Sequence, residues 1–210
     1  MERAVARLGG VFQEILVVTS QKGLKQIEES SLEFGPKVSL ITDLCPGKGS
    51  LGGIYSGLAM SPAFHNLVVA CDMPFLNRHL LAYMVRQAPG SDVIIPRLGG
   101  IPEPLHAIYS RNCLGPMKAL LDNDRLKIID FFPQVRVRYI EEEEIAPLDP
   151  QRLSFFNVNT AADLQRAQEL EASMGLGHHQ AGGSGVSPDS PVRSDAMYSE
   201  SNNPGRAMDN

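Results

Sequence analysis

Asp72 closes the apolar run Leu67-Val68-Val69-Ala70-Cys71, and Met73-Pro74 follows at once. A carboxylate at the end of a short β-branched run, with a proline to stop it, suits a divalent cation held on a phosphorylated substrate. It suits equally an N-cap for the helix expected over residues 76–86. Thr19 ends a second run, after Val17-Val18, and Asp43 a third, after Leu40-Ile41. If these strands are parallel neighbours, all three groups reach one rim, where nucleotides bind in open α/β sheets. Thr at a strand end and Asp at a turn are also ordinary structural choices.

Between them lies Pro46-Gly47-Lys48-Gly49-Ser50-Leu51-Gly52-Gly53. Its glycines leave backbone amides uncovered, and Gly52-Gly53 is expected to open a helix whose amides face the same rim. A nucleobase or ribose could lie against such a backbone, although the pattern is not a Walker loop. The alternative is a flexible surface turn. Asn157 and Asn159 have alternate spacing, so on an extended segment both face one side. They read either as neutral oxygen ligands to Mg²⁺ beside Asp72 or as turn and cap residues. His106 either lines the cleft or is a satisfied structural histidine. The run Glu141–Glu144 reads as a solvated surface.

The elements that must position these groups alternate along the chain. Strands are expected over 14–20, 37–42, 67–71, 91–96, 104–109 and 135–140. Helices are expected over 1–8, 22–32, 52–60, 76–87 and 114–122, and over 160–172 with Thr160 as N-cap and Asp163 as the capping acid. This order implies an α/β, doubly wound, mostly parallel sheet. Residues 1–174 form one domain in this reading. From 175 to 210 the composition shifts to Gly, Ser, Pro, Asn and Asp, which reads as a disordered tail with His178-His179 as a solvated pair.

The chain has 210 residues, a net charge of −5 and no Trp. No basic run or aromatic platform suggests nucleic acid, and no apolar run has the length of a membrane span. Cys45, Cys71 and Cys113 are far apart, which fits a reducing cytosol rather than a disulfide framework or zinc ribbon. A cytoplasmic protein is expected.

Taken in order, EILVVTS, ITDLCPGKGSLGGIYSGL, VVACDMPFL, EPLHAIYSR and FFNVNTAADL resemble the successive motifs of the molybdenum cofactor guanylyltransferases. These are MobA-like nucleotidyltransferases with a Rossmann-like fold. The resemblance implies a Mg²⁺-dependent transfer of GMP from GTP to molybdopterin. By position, Asp72 would bind Mg²⁺ and nucleotide, Thr19 and Asp43 would lie on the nucleotide, Gly52-Gly53 near the base, and Asn159 would be a second metal contact. Molybdoenzymes or cofactor-handling proteins are the implied protein partners. A cytidylyltransferase, or a non-catalytic relative acting as a binding module, are the competing readings. The family begins with a strand, a loop of the form LAGGxSxRMG and a Lys, whereas Met1–Val5 resembles its first helix. The resemblance thus implies that the first strand and phosphate loop are missing, with weak triphosphate binding and unpaired strand edges as expected consequences.

Overall fold

Alternate side chains of the buried strands divide the core. Along β4 (Val93–Leu98), Val93 and Ile95 join Ala107 and Tyr109 of β6 (His106–Ser110) on one face, where Leu51, Ile54, Leu58, Met117, Leu120 and Leu121 cover them. Ile94 and Ile108 point the other way, onto Leu80, Met84, Ile140 and Ile145. A sheet covered on both faces explains why these strands read as unbroken apolar runs.

The computed structural model describes residues 1–9, 11–30 and 37–174. The expected tail, with His178-His179, and the expected end of the second helix at Leu32 lie outside the described residues. Within them run α1 (Glu2–Leu8), β1 (Ile15–Thr19), α2 (Gln21–Glu28), β2 (Val38–Thr42), α3 (Gly49–Met60), β3 (His65–Val69), α4 (Arg78–Arg86), β4, β5 (Ile101–Pro102), β6, α5 (Leu114–Asp122), β7 (Val137–Ile140), α6 (Glu142–Ile145) and α7 (Ala161–Ser173).

The strands form two sheets. β1 and β2 pair in parallel, with Thr19 opposite Thr42. The second sheet has the order β3-β6-β4-β5, with β7 also on β4. β4 and β7 are parallel, and β6 is antiparallel to both β3 and β4, so β3, β4 and β7 run one way. Among the described residues β1 and β3 each have one strand partner. A shared cluster joins the two sheets: Ala4 and Leu8 of α1, Ile15 of β1, and Met73, Leu76 and Leu81, with Leu67 and Val69 of β3 against them.

Three boundaries differ from expectation and bear on function. α3 starts at Gly49, not Gly52, because Gly47 at φ +80° makes the left-handed turn that delivers the chain to the helix. Gly52 and Gly53 therefore sit inside its first turns. β3 ends at Val69, so Asp72 lies in a turn beyond the strand. Asn77, not Asp72, caps α4: its side chain accepts from His79 N at 2.9 Å and Leu80 N at 3.2 Å. The acidic run is a fourth difference. It forms α6, and Glu141, Glu142 and Glu144 pair with Arg97, Arg152 and Arg138.

Candidate active site

Two groups of residues gather at the carboxyl ends of the strands. The first surrounds Asp43. Its backbone N–H donates to the carbonyl of Thr19 at 2.8 Å, which joins the ends of β1 and β2. Its Oδ1 accepts from Cys45 N at 2.9 Å and from the Ser56 hydroxyl at 2.7 Å. Ser56, fully buried in α3, also accepts from Leu44 N at 2.9 Å and lies 2.8 Å from the carbonyl of Gly52. The loop 43–48 is therefore tied to α3 through one hydroxyl. Oδ2 of Asp43 has no protein partner among the described residues and stays available. Thr19 is half-buried, and its Oγ1 packs on Gly23 so closely that a Cβ there would come within 2.2 Å of it.

The two expected glycines have different surroundings. A Cβ on Gly52 would stand 2.8 Å from the carbonyl oxygen of Cys45, so Gly52 is required by packing. A Cβ on Gly53 would meet nothing within 4 Å. Gly53 thus presents bare backbone to open space, and no side chain caps the N-terminus of α3.

The second group surrounds Asp72. Its carbonyl accepts from Val158 N at 2.9 Å, which fastens the segment before α7 to the turn after β3. The rings of Phe75 and Phe156 meet edge to face at 5.8 Å. Asn77 N donates to Ser154 Oγ at 3.0 Å, and Asn77 Nδ2 donates to the carbonyl of Leu148 at 2.8 Å. Asp149, itself buried, accepts from Leu153 N at 3.2 Å and Ser154 N at 2.9 Å and so shapes the turn that leads to Phe155. These bonds hold two chain segments, 70–77 and 148–158, side by side.

Asp72 Oδ1 is buried and has no hydrogen-bond partner among the described residues. The residue Asp72 lines a cavity of ≈ 260 Å³ together with Arg3, Cys71, Val158 and Leu164. Arg3, in that lining, pairs with Glu171 at 3.0 Å. Among the described residues no three His, Cys, Asp or Glu side chains are grouped to hold a metal. The donor set nevertheless fits Mg²⁺, which usually takes one or two carboxylates and fills its other positions with phosphate and water oxygens. Asn159 is exposed beside Val158, and its N–H donates to Asp163 Oδ2 at 3.2 Å. Thr160 and Asp163 form the expected capping box of α7. No described hydrogen bond links the Asp43 group to the Asp72 group.

His106 meets neither expectation. It is fully buried, so it does not line the cleft, and neither ring nitrogen has a hydrogen-bond partner among the described residues. Sequence reasoning missed Ser56, Asp149 and Ser154 altogether. Asn77 carried a readable signal, an Asn just before an amphipathic helix.

A MobA-like NTP transferase domain model matches residues 1–136. The chain belongs to the MobA-like NTP transferase family. The match spans Thr19, Asp43, Gly52, Gly53 and Asp72, and Asn159 lies beyond it. The probable molybdenum cofactor guanylyltransferase of Pelotomaculum thermopropionicum is 39% identical over 169 residues, covering 80% of each chain. Among solved structures, molybdopterin-guanine dinucleotide biosynthesis protein A of Archaeoglobus fulgidus aligns with a TM-score of 0.70 and 28% identity, over 82% of this chain and 85% of that one. The 2-C-methyl-D-erythritol 4-phosphate cytidylyltransferase of Thermus thermophilus, at TM-score 0.57 and 15% identity over 81% and 88% of the two chains, shares the MobA-like fold.

Proposed function

We propose that this MobA-like chain transfers GMP from GTP to molybdopterin, yielding the guanine dinucleotide cofactor and pyrophosphate. The observation that carries the reading is the buried, unpartnered Asp72 Oδ1 beside the Val158 segment. The names of its relatives supply the substrates. An oxygen of the molybdopterin phosphate attacks the α-phosphorus of GTP in line, and pyrophosphate leaves from the opposite side. Mg²⁺ bound between Asp72 and the nucleotide phosphates would neutralise the charge that builds on the leaving group.

The chain's own part is to position. Asp43 offers Oδ2, and Thr19 stands beside it. Gly53 lets the guanine approach bare backbone, with Gly52 keeping α3 close to Cys45. Asn159 would supply a second oxygen on the Asp72 side. GTP, molybdenum-bound molybdopterin and molybdoenzymes or cofactor-handling proteins are the proposed partners. The proposed setting is the cytoplasm, in keeping with three free cysteines. No helix among the described residues is long and apolar enough to cross a membrane.

The test is to incubate the full chain with GTP, Mg²⁺ and molybdopterin and to quantify the guanine dinucleotide and pyrophosphate. Asp72→Asn should lower kcat by at least about 100-fold, the scale of losing one preorganised electrostatic contact. A preference for CTP would instead make the chain a cytidylyltransferase. Binding of GTP without transfer would make it a binding module.

A further inference from the structure

The ring of His106 lies at the start of β6, directly opposite Val69 in the register with β3. Its neighbour Leu105 accepts a bond from Ala70 N at 3.0 Å, so His106 stands behind the turn that carries Asp72. Its ring centroid is 4.8 Å from that of Phe155. Phe155 belongs to the segment that Asp149 shapes and that ends on Asp72 through Val158. His106 therefore pairs through its backbone with the strand that leads to Asp72 and through its ring with Phe155, and it does not line the cavity.

This placement is unfavourable as it stands. A buried imidazole with no hydrogen bond is less stable there than an apolar side chain of like size. A complementary vacancy lies close by. Asp149 is also buried and accepts two backbone bonds, while a carboxylate has room for about four. Its charge is near enough to oppose, weakly, the effect of burial on the ring. An unused donor packs on Phe155, and a buried carboxylate with unused acceptor capacity shapes the turn that leads to that ring.

We infer that His106 is a positioning residue whose ring N–H bonds Asp149 when nucleotide and Mg²⁺ occupy the Asp72 side, locking the 153–158 segment that Val158 already ties to Asp72. The inference rests on the guanylyl transfer reading. It predicts that the polarity of His106 serves the bound state and contributes nothing to the free fold.

The test follows the imidazole of the full-length, ¹⁵N-histidine-labelled chain by NMR while GTP and Mg²⁺ are added. The ring N–H of His106 should be unbonded in the free chain and become slowly exchanging and strongly downfield on addition. His106→Phe should melt at or above the wild-type temperature. It should lose about ten-fold in kcat, the worth of one hydrogen bond, with KM for GTP within about two-fold. His106→Gln, which keeps a donor, should recover part of the loss. GTP binding with an unchanged His106 signal overturns the inference, as does a His106→Phe variant with wild-type kcat. Absence of any GTP-induced shift overturns the transfer reading itself, and the inference with it.

Discussion

At the scale of single residues, the fold has a clear electrostatic consequence at His106. Burial pushes its pKa down to about 4 from 6.5, with Asp149 opposing the shift. Between those two values the unfolded chain takes up a proton that the native ring refuses. Stability from this group is therefore complete above about pH 6.5 and is lost as pH falls toward about 4, by about 3 kcal/mol in all. Urea unfolding of wild type and His106→Gln across pH 4–7.5 checks it: the wild type should lose stability faster on acidification, and equal slopes would refute the assignment. Ser56 gives a second prediction. Ser56→Ala leaves Leu44 N without its acceptor and Asp43 Oδ1 with Cys45 N as its remaining donor, which should cost about 1–3 kcal/mol. Because the same hydroxyl orients Asp43, KM for GTP should rise as well, and that separates it from an ordinary core lesion. Neither role was visible in the sequence. A Ser among Ile54, Leu58 and three glycines reads as filler, and a buried Asp followed by Pro150 reads as a turn. Long-range partners, not local pattern, give these residues their meaning.

Elements were legible where propensity, pattern and capping agreed. α5 has its expected bounds, and α7 has its expected cap, since both carry apolar spacing and unambiguous end signals. The sequence reading failed where one signal masked another. Gly49 and Ser50 look like loop residues yet open α3, because Gly47 and Gly49, both left-handed, turn the chain into it. β5 has only two residues, too few for any alternation to show. The acids of α6 read as solvated until Arg97, Arg138 and Arg152, from three other segments, are brought to them. The start of α3 separates its two glycines experimentally. Gly52→Ala must displace Cys45 and should lower Tm. Gly53→Ala adds a methyl in open space and gains helix propensity, so Tm should rise, by up to about 1 kcal/mol of stability. If guanine rests on that backbone, Gly53→Ala should nevertheless raise KM for GTP several-fold. An unchanged KM would move the base elsewhere.

For the molecule as a whole, the two sheets should not be equally durable. The β6-β4 pair is covered on both faces, whereas β1 and β2 pair only with each other among the described strands and are largely half-buried. Two-stranded sheets have little stability of their own and depend on what packs against them. Native-state hydrogen exchange should therefore release the amides of Ile15–Thr19 and Val38–Thr42 before those of Ile94 and Ile108. Simultaneous exchange would show one cooperative unit instead. Fold class was readable at this scale because alternation of strands and helices survives errors at their ends, but the antiparallel course of β6 was not marked by any residue. The bond from Val158 to Asp72 carries a consequence for synthesis. A growing chain displays Asp72 long before Val158 has been translated, and during that interval the carboxylate has only one of its two walls. On the guanylyl transfer proposal, nucleotide capture should therefore wait until Val158 has left the ribosome, so that a nascent chain still short of it does not sequester GTP.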